Sequence, residues 1–154
     1  MSAPKLTTDF VHLHVHSMYS PLNAVPTPQE LAAAAKADGQ DALAITDAGA
    51  LYGVIDFYKA CTAEDIKPII GLDAFLAPRS RFDKEVNIDK PRSRVVLLAK
   101  TFTGYQNLIQ LVTRSNVEGF YYKPRIDNEL LAELHEDIIC IIPSFAGEVA
   151  QALK

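Results

Sequence analysis

An α/β fold assembled from strand–helix units is the class this sequence predicts, and three observations carry it. Short apolar runs alternate with helix-length segments along the chain. The runs are almost continuously apolar, as strands are when both faces of a sheet are covered. Proline and glycine punctuate the clearest helical segment at its start and stop.

The elements follow in order. "FVHLHV" (10–15) alternates with period 2 and reads as a strand. That would put His12, His14 and His16 on one face at a repeat of roughly 6.6 Å, with Leu13 and Val15 on the other. "PQELAAAAKADG" (28–39) predicts a helix from Pro28 that Gly39 ends. "ALAIT" (42–46) is a short strand. "YGVIDFYKACTAED" (52–65) repeats Val54, Ile55, Tyr58 and Cys61 at helical spacing. "KPIIGLDAFLA" (67–77) predicts a strand, and a polar, proline-bearing stretch (78–93) follows. "RVVLLAK" (94–100) is a strand, "YQNLIQLVTRSN" (105–116) a helix and "DIICIIP" (137–143) a strand, and the last residues begin another helix. Five strands separated by helices imply parallel βα units. An open doubly wound sheet and part of a βα barrel both satisfy this pattern.

Composition narrows the function classes. With 154 residues the chain has one domain's worth of core. A hydrophobic fraction of 49% and a net charge of −4 describe a globular chain whose overall field does not attract nucleic acid. "KPRSR" (90–94) is the dense basic stretch, and a solvated surface loop is the expected setting. Cys61 and Cys140 both fall in apolar segments, which suits reduced, buried thiols in a cytoplasmic protein. Neither a signal peptide nor a membrane-spanning run is expected.

Candidate chemistry gathers at strand ends, where parallel α/β folds place functional groups. His14 and His16 would share a face, and Ser17 and Ser20 follow at once. Asp47 follows "ALAIT", Asp73 lies just beyond "KPIIG", and Ser144 follows "CIIP". Two imidazoles and a carboxylate can hold a divalent ion. They can equally form a hydrogen-bonded polar rim, and the residues alone leave both readings open. Phe120, Tyr121 and Tyr122 could stack on nucleotides, but packing on the exterior or against a following domain is the plainer expectation. Lys123 and Arg125, flanking Pro124, are weak candidates for phosphate contacts. Asp56 and Glu64 are expected to face solvent.

"HVHSMYS" fits an H-x-H-x-x-x-S motif that opens the PHP (polymerase and histidinol phosphatase) family. "ALAITDAGALYGVIDFYKAC", "IKPIIG", "SRFDKE", "LLAKTFTGYQNL" and "EGFYYKPRID" extend the similarity to the PHP domains that open the alpha subunits of bacterial replicative DNA polymerases. This resemblance implies a distorted (βα)7 barrel, here its first five or so units. Residues 1–9 would be an extension and 10–154 the PHP domain, cut before the family's closing Asp-x-His. It also implies a cluster of up to three metal ions that, in intact members, hydrolyses phosphoesters or removes 3′-terminal nucleotides.

Position by position, the implied site is eroded. His14, His16 and Asp47 match family ligands. Ala48 stands where a histidine is expected, and Asn23 and Ala24 where an Asp-Gly usually follows. Asp73 replaces a glutamate, keeping the oxygen donor but shortening it. Arg94 replaces a histidine and Ser144 a cysteine or other ligand. A fixed cation at Arg94 opposes a metal by about 4 kcal/mol per unit charge at 4 Å and an effective dielectric near 20. It could stand in for the metal by a bidentate pair with Asp47 or Asp73.

The expectation is a structural scaffold with a degenerate metal site, able to hold at most one weakly bound zinc or manganese ion through His14, His16, Asp47 and Asp73. The implied partners are the remainder of the polymerase alpha chain, replisome subunits and, through the parent enzyme, DNA. No residue is assigned as catalytic in the fragment itself. The alternative is a metal-dependent phosphoesterase or 3′–5′ exonuclease using the residual histidines.

Overall fold

The computed structural model describes residues 10–144 and 146–153, so the extension expected over residues 1–9 lies outside the described residues. The elements are α1 (Pro28–Asp38), β1 (Ala42–Ile45), α2 (Val54–Ala63), β2 (Lys67–Leu76), β3 (Ser93–Ala99), α3 (Phe102–Val117), β4 (Arg125–Ile126), α4 (Asn128–Glu133), β5 (Ile138–Ile141) and α5 (Glu148–Ala152). The α/β class expected from the sequence is borne out. Helix α1 shows the local logic. Thr27 Oγ1 accepts from Glu30 N while the Glu30 carboxylate accepts from Thr27 N, a reciprocal cap on the first turn. Gly39, at φ 79°, closes the other end in a left-handed conformation that costs glycine nothing.

The sheet is mixed rather than parallel. β1 pairs with β2 in parallel, from Ala42 opposite Lys67 to Ile45 opposite Ile70. Further along, β2 pairs antiparallel with β3, placing Asp73 opposite Val96 and Phe75 opposite Arg94. β4 adds a short parallel pairing at Phe75 and Leu76, and β5 runs antiparallel to β3. The departure has a local cause. A helix-free polar loop joins β2 to β3, and the chain turns back alongside itself instead of crossing over through a helix.

The "FVHLHV" segment also departs from expectation. It runs beside β1, with the carbonyls of His12 and Val15 accepting from Ala44 N and Thr46 N at 3.0 and 2.7 Å. Val15 N, however, donates to the Thr46 hydroxyl at 2.9 Å, so a regular ladder does not propagate, and the chain bends at His14. The bend breaks the period-2 pattern. His12 packs edge-on against Phe10 and lines a cavity with Leu31, Ala35 and Leu43, while His14 and His16 stay together.

One face of the sheet carries the core. Leu43 and Ile45 pack with Ala32, Ala35, Phe57 and Cys61 from α1 and α2. Leu72, Ala74, Leu76, Val95 and Leu97 pack against Leu108 and Leu111 of α3 and Leu130 of α4. Alternation sends Ala44, Val96 and Leu98 to the opposite face, which becomes polar towards Asp73 and Arg94. Cys61 is buried, which pushes its thiol up to about 11. Cys140 is exposed, contrary to expectation, on β5 at the end of the sheet order, where Ile139 and Cys140 both stay open to solvent. No helix among the described residues is long and apolar enough to cross a membrane.

Charged side chains organise the loop between β2 and β3. Arg125, fully buried on β4, donates from Nε to Gly119 O, from Nη1 to Asp89 O, and from Nη2 to both Arg81 O and Asp83 O, at 2.8–3.1 Å. Burial pushes its pKa down. Arg81 pairs with Asp127 at 3.0 Å and with Glu118 at 2.6 Å, and Arg79 with Asp89 at 2.6 Å. The suggested contact of Arg125 with phosphate is therefore excluded, because the side chain is fully buried and four of its five N–H donors serve main-chain carbonyls.

Candidate functional site

The polar end of the inner sheet face is built around Asp73. Sheet alternation turns its side chain away from the Leu72 and Ala74 core, and it is completely buried. Arg94 sits opposite Phe75 on β3, diagonal to Asp73 and within reach of it. Its Nε donates to Oδ1 at 2.9 Å and its Nη2 to Oδ2 at 2.5 Å, a bidentate fork. This is the pairing expected of Arg94 with one of two carboxylates, and the structure forms it with Asp73.

His14 and His16 close the group from the other side. Each brings Nε2 within 2.9 Å of Asp73 Oδ2, and their rings meet edge to face with centroids 5.2 Å apart. An ionised carboxylate only accepts, so both imidazoles carry their proton on Nε2. Burial by itself would raise the Asp73 pKa. The hydrogen bonds from His14, His16 and Arg94, with the Arg94 charge, outweigh it and hold the carboxyl well below the ordinary range.

Asp47 stands apart from this group. Its Oδ1 accepts from Ser17 N at 2.8 Å and Ser20 Oγ at 2.6 Å, and its Oδ2 accepts from Ser17 Oγ at 2.8 Å. Ser20 Oγ also accepts from Ala48 N at 3.0 Å. Asp47 thus fastens the turn after His16 to the end of β1. That role for Ser17 and Ser20 was not drawn from the sequence, although hydroxyls one and four residues past His16 are the available signal. Ala48 meets Asp73 through a parallel backbone bridge. Ser144 is exposed beyond β5. Asp56 accepts from the Tyr19 hydroxyl at 2.8 Å, so it is not simply solvent-facing.

The ligand atoms of His14, His16 and Asp73 lie within 4.8 Å of one another, close enough to hold one metal ion. The charges around them do not suit a cluster. An ion would take the Nε2 lone pairs, with each imidazole proton moved to Nδ1. Arg94 places a permanent cation on the one carboxylate of the group, so an ion would have to displace it. The residues present therefore do not fit a polynuclear hydrolytic centre.

Comparison with known proteins sets this geometry in context. The model of the PHP domain family matches residues 12–154. DNA polymerase III subunit alpha of Treponema pallidum (strain Nichols) is 48% identical over 145 residues, covering 94% of this chain and 12% of that protein. The corresponding subunit of Thermus aquaticus is 43% identical over 146 residues, covering 92% of this chain and 12% of that protein. The chain thus spans about an eighth of the length of these relatives. Among solved structures, an amidohydrolase from Chromobacterium violaceum, with bound sulfate and no metal, aligns at a TM-score of 0.48 and 19% identity, over 70% of this chain and 36% of that one.

Proposed function

The chain belongs to the PHP domain family, and from that membership we propose that it is the PHP portion of a bacterial replicative DNA polymerase alpha chain, acting as a structural scaffold. The observation that carries the scaffold reading is the Arg94–Asp73 fork, which sets a guanidinium where a hydrolytic domain needs a cation it can exchange. The parent protein would extend DNA primers with deoxynucleotides. Its remaining domains and other replisome subunits would be this domain's partners, and the cytoplasm its location. Residual uptake of one zinc or manganese ion by His14, His16 and Asp73 is compatible with this role and would serve no hydrolysis.

Metal titration tests the reading. The chain purified without chelator is expected to show no shift in melting temperature on adding zinc or manganese and no release of nucleotides from a 3′-labelled oligonucleotide. Restoring histidines with Ala48→His and Arg94→His should raise metal uptake only if a nearly complete site survives. Stoichiometric binding to the unaltered chain that His14→Ala abolishes, together with 3′ nucleotide release, would overturn the scaffold in favour of an exonuclease.

A further inference from the structure

β5 ends the sheet order β1–β2–β3–β5, and β3 is its one strand partner among the described residues. Its outer row of main-chain N–H and C=O groups bonds to none of the described residues. Sheets ordinarily blunt such an edge with a charge, a proline or a covering element. Here "IICII" (138–142) carries no charge, and Pro143 comes only after the strand has ended. An uncharged apolar run on an open edge is a template for another strand.

Both faces of this edge are apolar. Ile139, 46% exposed, shares a face with Ile141, which packs on Val96 and Leu98. Cys140 and Ile142 take the other face and line a cleft with Leu76, Leu131 and Glu148, the first residue of α5. Cys140 is exposed, as are 54% of Ile142 and 58% of Val149 on α5. A helix laid on the sheet covers one face, whereas a strand added alongside covers side chains on both. Flanking charges choose the direction of that strand. Glu136 and Asp137 precede the run, and no charge follows it before Glu148. A parallel copy would set these carboxylates side by side, while an antiparallel copy keeps them at opposite ends.

We propose that a second copy of this chain pairs antiparallel with β5 about a twofold axis at Cys140. Cys140 then faces its own copy, Ile139 faces Ile141 and Ile138 faces Ile142, each pair on one face of the joined sheet. The two Asp73 groups come to lie on the same side of it. The edge and its exposed apolar side chains offer roughly 500 Å² per copy, the low end of specific interfaces, which sets a dissociation constant on the order of 100 µM. The inference goes beyond the polymerase reading and does not depend on it.

The test is sedimentation equilibrium of the full chain from about 10 µM to about 1 mM, which brackets that constant. The expected result is a monomer–dimer equilibrium that stops at two copies, because a twofold interface closes. Ile139→Lys with Ile142→Lys, at two exposed positions, should weaken the dimer at least about tenfold without lowering the melting temperature of the monomer. Ile55→Lys with Phe102→Lys, exposed on α2 and α3, should leave it unchanged. Diamide, which takes up the two thiol hydrogens as the disulfide forms, should link the copies through Cys140. Directly opposed antiparallel residues have Cα atoms about 4.5–5.5 Å apart, within disulfide reach. Cys61 does not compete, being buried with its thiol pushed up to about 11. Cys140→Ser should keep the dimer and lose the link. A monomer throughout, a dimer indifferent to the lysine pair at 139 and 142, growth beyond two copies, or a dimer that diamide does not link would each overturn the proposal. The first of these would leave the edge to a strand from elsewhere in a longer parent polypeptide.

Discussion

Arg125→Met is expected to lower the stability of the chain by roughly 4 kcal/mol. The guanidinium serves four main-chain carbonyls from four residues, Gly119, Arg81, Asp83 and Asp89, and no water reaches a fully buried side chain to replace it. Each stranded carbonyl costs about 1–3 kcal/mol, and release from desolvating a buried cation offsets part of the sum. Methionine keeps most of the volume, so the loss reports on hydrogen bonds more than on a cavity. Arg125→Lys should recover little, because a point ammonium cannot span the fork. The readout is the urea midpoint, with a fall in melting temperature on the order of 10 °C. A loss below about 1 kcal/mol would mean that the loop re-forms around water without its arginine.

The second large effect is expected at Asp73. Asp73→Ala should cost roughly 3 kcal/mol near neutral pH, because it removes the acceptor shared by Arg94, His14 and His16 from the buried end of the sheet. Arg94→Ala should also destabilise, by leaving a buried carboxylate with two imidazoles alone. The double variant should be less unstable than the sum of the two, with a coupling on the order of 2 kcal/mol.

The pH dependence has a definite sign. The folded pKa of Asp73 is lowered below its unfolded value of about 3.9. Its stabilisation is thus complete above that value and is lost as pH falls through the folded pKa. The gap between the wild-type chain and Asp73→Ala should be widest well above pH 4 and should narrow in strong acid. A gap that widens on acidification would contradict the ionised fork.

What was legible in the sequence was what short-range physics controls. The capped, alanine-rich run became α1, and the helix expected from Val54, Ile55, Tyr58 and Cys61 became α2, although Ile55 and Tyr58 are exposed and its buried face is Val54, Phe57, Ala60 and Cys61. Apolar runs became β1, β2, β3 and β5 because they had two faces to cover or a core to meet. The two-residue β4 and six-residue α4 are too short to leave a period, and "FVHLHV" has the right period but gives its Val15 donor to a threonine side chain. The direction of β3 was hidden because periodicity is blind to whether a strand runs up or down. Within the candidate site, the eroded positions could be read by type. Which carboxylate Arg94 would choose, and that Asp47 would be enclosed by Ser17 and Ser20, depended on register across the sheet.

The partner changes along β2 bear on the order in which the fold can assemble. Its first four residues pair with β1, which lies nearby in sequence and precedes it, whereas residues 71–76 pair with β3 and the last two also with β4, some fifty residues downstream. During synthesis the β1–α2–β2 unit can close as soon as it emerges, at a small loop-closure cost. The second half of β2 then waits with an open edge until later segments arrive. In refolding of the full-length chain, where β3 lies no farther from β2 in sequence than β1 does, pulse-labelled hydrogen exchange should instead protect Ala44 and Ile70 together with Val96 and Leu98, and β2 is the strand whose substitutions should slow folding most.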